Sequence, residues 1–305
     1  MNNNQVIELI EEYADAKELS CNTVKLYKKT LNKLIDFCKG KNIVELKPLD
    51  LNKFLKNRKD ETSVSTSNSD LRNLKSIYSV LAENDVCNNI AKNIKPFADN
   101  RDKPEDDFLQ LTEVKKVLSV CRKESSKEDK SQKEIGKAKQ DYIYLLVMFY
   151  TGMRCSEVAN LKGSDVVLEN GILEVTARET KNRKDFTTYI VNKKAVSEIS
   201  NWISERNVGE DEFLFVNSKG NLAYRSDGAN SVQKMFQSYL EKAKVNRKLG
   251  CHATRKTFAT YLRDKGVDVY DIEQLLNHSV NSLGANVYAR LTKDKKIKIL
   301  SMIKY

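Results

Sequence analysis

The first hundred residues place an apolar residue at every third or fourth position, which is the period of an amphipathic helix. A short polar segment, residues 61–69, is rich in Ser and Thr and predicts a loop. Four or five helices in a segment of this length predict a compact helical bundle. The helical pattern is found in residues 6–13, 24–38, 48–55 and 71–81.

A polar segment with a proline near each end follows this bundle. Pro96 and Pro104 favour extended backbone, and the residues between them show no apolar period. We interpret residues 98–107 as a linker between an N-terminal domain, residues 1–97, and a C-terminal domain, residues 108–305.

The C-terminal part mixes helical and strand patterns. Two β-rich runs on either side of a basic turn predict a hairpin with a basic tip. An apolar run at residues 142–150 predicts a buried helix, and the polar residues 122–141 before it predict an exposed helix extension or a mobile loop. Further helices are expected from about residues 111, 194, 227, 254, 269 and 294. The predicted fold class is therefore mainly α with a small antiparallel β-sheet.

Charge and composition narrow the classes of function. The chain has 305 residues and a net charge of +11, and all but 2 of these excess charges follow residue 100. A basic excess is compatible with a polyanionic partner, although charge alone does not establish one.

The chain has no apolar run of about 18 residues, which predicts no membrane partner. The polar, acidic first residues are unlike a signal peptide, so we expect a cytoplasmic protein with free thiols. Two histidines and scattered cysteines predict no metal site, and the chain has no P-loop pattern, so no cofactor is expected.

Three short segments of the C-terminal part carry candidate phosphate chemistry. His252 and Arg255 lie at i and i+3, so on a helix both would face one phosphate, although a plain surface helix start has the same pattern. Arg154 begins a helix, where it could help to hold an anion or could pair with Glu157. His278 ends a helix, with Asn277 as a left-handed terminator.

Six residues in this order resemble the catalytic set of the tyrosine recombinase family, which includes phage integrases and Xer-type recombinases. The similar motifs read TGMRCSEVANL, HATRKTFATYL and LLNHSVNSLGANVYARL, and the similarity extends to NTVKLYKKTLNKLIDFC and LTEVKKVL. The resemblance implies a helical, SAM-like core-binding domain followed by a mixed α/β catalytic domain. The six residues are Arg154, Lys181, His252, Arg255, His278 and Tyr288.

The resemblance also implies a role for each of these residues. Tyr288 would attack a DNA phosphodiester and form a 3′-phosphotyrosyl link, while Arg154 and Arg255 stabilise the charge of the transition state. Lys181 would protonate the leaving 5′-oxygen, although Lys184 lies in the same turn and could replace it. His252 would act as acid and base toward Tyr288, and His278 would donate to the phosphate.

The partners that the resemblance implies are DNA and further copies of the chain. A homotetramer would hold double-stranded DNA carrying a specific recombination site, for integration, excision or resolution of a mobile element. The basic tail after Tyr288 has an apolar stripe that would pack on a neighbouring protomer or fold back on its own domain. The residues expected to contact DNA are Asn22, Lys25, Lys28, Lys29, Arg72, Lys75 and Lys184.

Some features depart from the family pattern or leave alternatives open. The spacing from His278 to Tyr288 is one residue longer than is usual, and Tyr305 is a poor alternative nucleophile because chain ends fray. No arm-binding domain is expected before the first helix, which favours an Xer-like or transposon-type enzyme. A type IB topoisomerase, a telomere resolvase or a catalytically inactive DNA-binding regulator remain alternative functions.

Overall fold

A computed structural model describes residues 1–99, 107–127, 129–178, 184–224, 231–278 and 290–305. The chain divides into two compact units, Met1–Lys103 and Pro104–Tyr305. The boundary between the units falls within residues 98–107, where the sequence predicts a linker. Among the described residues, no helix is long and apolar enough to cross a membrane.

The first unit is a bundle of four helices around one apolar core. Leu31, Leu34, Phe54, Leu74 and Tyr78 are fully buried in this core. Thr30 and Arg58 donate to Asp70 over 3.2 and 2.9 Å, so a buried polar network also links three of the helices. The elements are α1 (Asn3–Ala16), α2 (Cys21–Phe37), a short 3-10 turn (Ile43–Glu45), α3 (Pro48–Glu61) and α4 (Val64–Glu83).

The predicted loop at residues 61–69 is wrong, because α4 begins at Val64 within it. Ser63 is the N-cap, and its Oγ accepts from the backbone N–H of Thr66 over 3.1 Å. The hydroxyl of Ser67 is buried and donates to the carbonyl of Leu55 over 2.7 Å. Ser and Thr here cap a helix and join it to α3, so their polarity does not indicate exposure.

The second unit packs helices around the buried helix α6 and a three-stranded antiparallel sheet. α6 contacts α5, α8, α10 and the third strand. The strand order is β1-β2-β3, with Val166 opposite Val175 and Leu173 opposite Ile190. The elements are α5 (Leu111–Glu124), α6 (Gln132–Thr151), α7 (Cys155–Ala159), β1 (Val166–Glu169), β2 (Ile172–Ala177), β3 (Phe186–Ile190), α8 (Lys193–Arg206), α9 (Ser231–Lys242), α10 (Ala253–Asp264), α11 (Val269–Leu275) and α12 (Lys293–Leu300).

The fold class, mainly helical with a small antiparallel sheet, is confirmed, and so is the hairpin of β2 and β3. β1 is an additional strand that the sequence analysis missed. It has four residues and is mostly exposed on one edge of the sheet, so it lacks the alternating apolar pattern of a half-buried strand.

The polar segment 122–141 is partly a helix, but the prediction that it is exposed is wrong at its two ends. α6 begins at Gln132, capped by Ser131, whereas Glu124 and Asp141 are buried. Lysines from three places pair with the Glu124 carboxylate, at N–O distances of 2.5 to 2.8 Å; they are Lys127, Lys130 and Lys242. Hydrogen bonds from these ammonium groups hold the pKa of Glu124 well below its usual value of 4.5.

This lysine cluster predicts an acid-dependent contribution to stability. A carboxyl group with a depressed folded-state pKa stabilises the fold above its unfolded pKa, and this stabilisation is lost as the pH falls below about 4.5. We expect Glu124→Gln to lower the free energy of unfolding most at pH 6–7 and progressively less toward pH 3. Urea titrations at several pH values measure this difference. Glu241→Gln, on the exposed face of α9, controls for the loss of one negative charge. A loss of unfolding free energy in Glu124→Gln that is the same at every pH would contradict the prediction.

The C-terminal tail packs on its own unit, the second of the two arrangements expected from the sequence. Ile299, Leu300 and Ile303 are buried in the core of the second unit. The ring of Tyr305 lies against the rings of three aromatic residues, and burial raises its pKa, which disfavours the phenolate that a nucleophile requires. These three residues are Phe149, Tyr150 and Tyr261.

Candidate active site

A tight turn after α6 brings the first arginine of the candidate site into position. Gly152 ends the helix in the left-handed conformation, with φ +63°, and its N–H donates to the Met148 carbonyl over 3.0 Å. A Cβ built on Gly152 would lie 2.6 Å from the ring of Phe258 and 2.9 Å from Leu276. Backbone angle and lack of space therefore both require glycine here.

Arg154 caps the short helix α7 and forms an ion pair with Glu157. Its guanidinium lies 2.7 Å from one oxygen of the Glu157 carboxylate, and its backbone N–H donates to the other oxygen over 2.8 Å. The Glu157 side chain is buried, whereas that of Arg154 is 22% exposed. The pairing expected as an alternative from the sequence is thus present, and it fixes a guanidinium that solvent still reaches.

Arg255 joins two of the candidate segments through its side chain. It lies buried in the first turn of α10, where its guanidinium donates to the Gly152 carbonyl over 2.9 Å and also to the Leu276 carbonyl. Gly152 is two residues before Arg154, and Leu276 is two residues before His278. A planar guanidinium with five donors suits such a bridge, because its geometry fixes both acceptors at once.

Burial and the neighbouring charges set the pKa of the Arg255 guanidinium. Burial and, to a smaller extent, the charge of Arg154 lower the pKa of Arg255 to about 10, against the opposing effect of the carboxylates of Glu157 and Glu273. The guanidinium therefore keeps its charge at neutral pH. The site thus holds two neighbouring guanidinium groups, whose charges are balanced in part by the carboxylates of Glu157 and Glu273.

His252 lies at the N-cap of α10 and is exposed, whereas Arg255 is buried. The predicted helical turn from one to the other is present. Cys251, which precedes His252, contacts Cys155, which follows Arg154, at 3.5 Å between the two sulfurs. His252 and Arg154 are thus held in adjacent segments.

His278 lies beyond the end of α11, so the prediction that it ends this helix is wrong. The helix ends at Leu275, and Asn277 takes the left-handed conformation as predicted, with φ +48°. The N–H of His278 donates to the Glu273 carbonyl over 3.1 Å, which completes a Schellman motif. Its Nδ1 lies 2.5 Å from the Glu273 carboxylate, which orients the imidazole.

A cavity of about 650 Å³ opens beside Arg154. Its lining includes Arg154, Lys162 and Arg178, and Arg178 follows the last residue of β2. Lys184 is exposed before the start of β3. Lys181 and Tyr288, predicted as the general acid and the nucleophile, lie outside the described residues. The cavity therefore joins Arg154 to the base of the hairpin that carries the candidate lysines.

Six of the seven predicted DNA contacts lie on two helices of the first unit, and the seventh, Lys184, belongs to the second unit. On α2, Asn22, Lys25 and Lys29 are exposed, and Lys28 pairs with Glu11. On α4, Arg72 is exposed and donates to Ser69 over 2.7 Å, while Lys75 is half-buried. The spacing of the three exposed α2 residues, i, i+3 and i+7, places them on one face.

Sequence reasoning missed the residues that support the site. Gly152 and Leu276 supply backbone carbonyls to Arg255, and Glu273 orients His278. The sequence signal for Glu157 was its i+3 spacing from Arg154, but no comparable signal marks a carbonyl acceptor. Within the described part of the chain, no three His, Cys, Asp or Glu side chains cluster in a way that could hold a metal ion.

The second unit brings two arginines and two histidines into neighbouring segments, a set of side chains that suits chemistry on a phosphodiester. The phage integrase family matches residues 107–295, and the SAM-like N-terminal domain of phage integrases matches residues 6–87. The chain therefore belongs to the phage integrase family. It is a site-specific tyrosine recombinase, and this function is favoured over the topoisomerase, resolvase and inactive-regulator alternatives.

Relatives of known function are similar over nearly the whole chain. The tyrosine recombinase XerA of Pyrococcus furiosus is 28% identical over 289 residues, which is 93% of this chain and 90% of that protein. XerA of Thermococcus kodakarensis is 29% identical and covers 95% of this chain and 92% of that protein. The sequence therefore resembles those of Xer recombinases along both units.

Solved structures share the fold. The XerH site-specific recombinase in a post-cleavage complex with palindromic difH substrate aligns with a TM-score of 0.69 and 21% identity, over 98% of this chain and 81% of that one. The Tn1549 transposon integrase with circular intermediate DNA aligns with a TM-score of 0.64 and 19% identity, over 95% and 97% of the two chains.

Proposed function

We propose that this recombinase cuts each DNA strand by attack of Tyr288 on a phosphodiester, forming a 3′-phosphotyrosyl link and releasing a 5′-hydroxyl. A phenol has a pKa near 10, so attack at neutral pH requires a base or strong local positive charge. The phosphotyrosyl link conserves the energy of the phosphodiester bond. A 5′-hydroxyl of DNA can therefore attack this link and rejoin the strand without a nucleotide cofactor.

The observation that carries this proposal is the bridge from Arg255 to the backbones of Gly152 and Leu276. It holds the segments of Arg154 and His278 next to a buried positive charge. The two arginines bind the non-bridging oxygens and stabilise the charge that develops in the transition state. The exposed imidazole of His252 exchanges a proton with Tyr288, and His278 donates to the phosphate.

The leaving 5′-oxygen needs a proton, which we assign to Lys181, with Lys184 as the alternative in the same turn. The cavity beside Arg154 has Lys162 and Arg178 in its lining as well as the carboxylates of Glu157, Asp165 and Asp211, and its position next to Arg154 supports a path for the DNA backbone toward the hairpin. The exposed face of α2, with Asn22, Lys25 and Lys29, binds further along the duplex, together with Lys28 and residues Arg72 and Lys75 of α4. Such phosphate contacts make binding strongly dependent on salt.

The same proposal extends to the assembly and its biological setting. We infer that residues 98–107 link a DNA-binding domain to a catalytic domain, and that four protomers pair two recombination sites. The tail packs on its own unit, so exchange between protomers requires α12 to leave it. The partner is double-stranded DNA that carries a specific recombination site, and the protein acts in the cytoplasm, at the nucleoid. The reaction integrates, excises or resolves a mobile DNA element.

The decisive experiment uses a duplex that is selected for binding from a random-sequence library and then nicked next to the cleavage position. Cleavage releases a short fragment and traps a covalent complex that survives SDS. We expect wild type and Tyr270→Phe to form the complex, because Tyr270 is an exposed tyrosine of α11 without a role in the proposal. Tyr288→Phe should form none, and polynucleotide kinase should label the released 5′-hydroxyl. Complex formation by Tyr288→Phe, or its absence from wild type on every selected duplex, would overturn the proposal.

A further inference from the structure

Two cysteines connect the segments that carry Arg154 and His252. Cys155 directly follows Arg154 as the first residue of α7, and Cys251 directly precedes His252. Their sulfurs lie 3.5 Å apart although the residues are 96 positions apart in the chain. Cys155 is half-buried and Cys251 is buried. The contact is therefore a feature of the folded site, and Cys155 is the more exposed of the two residues.

The surroundings of the two thiols differ, so that one thiol reacts with an oxidant before the other. The thiol of Cys251 donates to the sulfur of Cys155, and backbone N–H groups, including that of Ser156, also favour the Cys155 thiolate. These contacts lower the pKa of Cys155 and raise that of Cys251. Because thiolates are the nucleophilic form, Cys155 reacts first with an oxidant, and Cys251 is placed to react second.

We propose that Cys155 and Cys251 are a site of reversible oxidation, at which hydrogen peroxide forms a disulfide that stops strand cleavage. The Cys155 thiolate attacks peroxide, which breaks the O–O bond and yields a sulfenic acid and, after proton uptake, water. The sulfur of Cys251 then attacks the sulfenic sulfur, loses its proton and displaces a second water. Two thiols and one peroxide thus give one disulfide and two waters, with both electrons taken up by the peroxide.

Closing this bond changes the contact between the two catalytic segments. A disulfide places the sulfurs about 2.05 Å apart, so they must approach by roughly 1.5 Å. Hydrogen bonds restrain both backbones: the carbonyl of Cys155 accepts from Tyr144 over 2.6 Å, and the N–H of Cys251 donates to Gln233 over 2.8 Å. Any part of the approach that rotation of the two side chains does not supply displaces these backbones, and with them the adjacent Arg154 and His252. A displacement of about 1 Å in a catalytic group is enough to slow a reaction about a hundredfold.

The disulfide itself is tested without DNA. The full chain is treated with stoichiometric hydrogen peroxide, unreacted thiols are blocked, and the protein is digested without reductant. We expect a cross-linked pair of peptides containing Cys155 and Cys251, which dithiothreitol separates. Cys38→Ser and Cys87→Ser, in the first unit, serve as controls that keep the cross-link, whereas Cys155→Ser and Cys251→Ala abolish it. If peroxide yields no cross-link between Cys155 and Cys251 while it oxidises other cysteines, the proposal is wrong.

The effect on catalysis rests on the proposed function and is measured separately. We expect peroxide to slow covalent-complex formation on the nicked duplex at least tenfold in wild type, and dithiothreitol to restore it. The rate of Cys155→Ser should be equal before and after peroxide. A quantitative disulfide with unchanged cleavage, or equal inhibition of Cys155→Ser, would overturn the regulatory part. If the proposed function fails, either wild type forms no covalent complex before peroxide is added or Tyr288→Phe forms one, and in both cases the peptide result is unaffected.

Discussion

Replacement of Arg255 by alanine is expected to lower the rate of covalent-complex formation by about a thousandfold or more, with DNA binding largely retained. Loss of one preorganised donor to a developing negative charge costs about 10²–10³ in rate, and loss of a catalytic arginine in phosphoryl transfer costs about 10³–10⁵. Arg255 also holds the carbonyls of Gly152 and Leu276, so its loss loosens the segments of Arg154 and His278.

Two variants separate the charge of Arg255 from its geometry. Arg255→Lys keeps a cation but cannot reach both carbonyls with one planar group, so it should remain strongly impaired. Arg263→Ala removes an exposed arginine from the last turn of the same helix and should cleave at the wild-type rate. Single-turnover cleavage measures the rates, and electrophoretic mobility shifts measure binding. A full rate for Arg255→Lys would mean that charge alone suffices and that the bridge has no catalytic importance.

Replacement of Gly152 by alanine is expected to destabilise the second unit by about 3 kcal/mol. A left-handed backbone costs about 1–2 kcal/mol for a residue with a Cβ, and overpacking a core costs about 1–3 kcal/mol. Here the Cβ would lie 2.6 Å from the ring of Phe258, in the helix that carries Arg255. Cleavage by the folded fraction should also slow, because the carbonyl of Gly152 is one of the two acceptors of Arg255.

Gly136, in the same helix α6, provides the matched control. A Cβ built there meets no heavy atom within 4 Å, and its φ is not positive. Gly136→Ala should therefore raise stability by about 0.5–1 kcal/mol, because alanine favours a helix interior. Thermal unfolding, followed by far-UV circular dichroism, compares the two variants. Equal stability of Gly152→Ala and wild type would show that the turn can accommodate a side chain.

Most helices of the fold could be predicted from the sequence, because the apolar period reports directly on which face is buried. The failures occurred where polar residues have structural partners. The Ser/Thr-rich residues 61–69 begin a helix because Ser63 caps it and Ser67 donates to the backbone of α3. Glu124 is buried because three lysines surround it, and one of them, Lys242, comes from a distant helix. Such partners are set by tertiary contacts, which periodicity does not report.

Some features of the candidate site could also be predicted from the sequence, and others could not. Motif order predicted which segments matter, and the local spacing predicted the pair of Arg154 with Glu157. No pattern in the sequence predicts that Arg255 donates to the carbonyls of Gly152 and Leu276, because backbone acceptors are identical at every residue. The approach of Cys155 to Cys251 was equally invisible, since 96 positions separate them in the chain.

The bridge made by Arg255 also affects when a growing polypeptide can become active. One of its acceptors precedes it by 103 residues, and the other follows it by 21. A nascent chain that has not yet emerged from the ribosome as far as Leu276 lacks the second acceptor and the histidine behind it. The Arg255 bridge is therefore completed late in translation, well after residues 6–87 of the SAM-like domain have been synthesised.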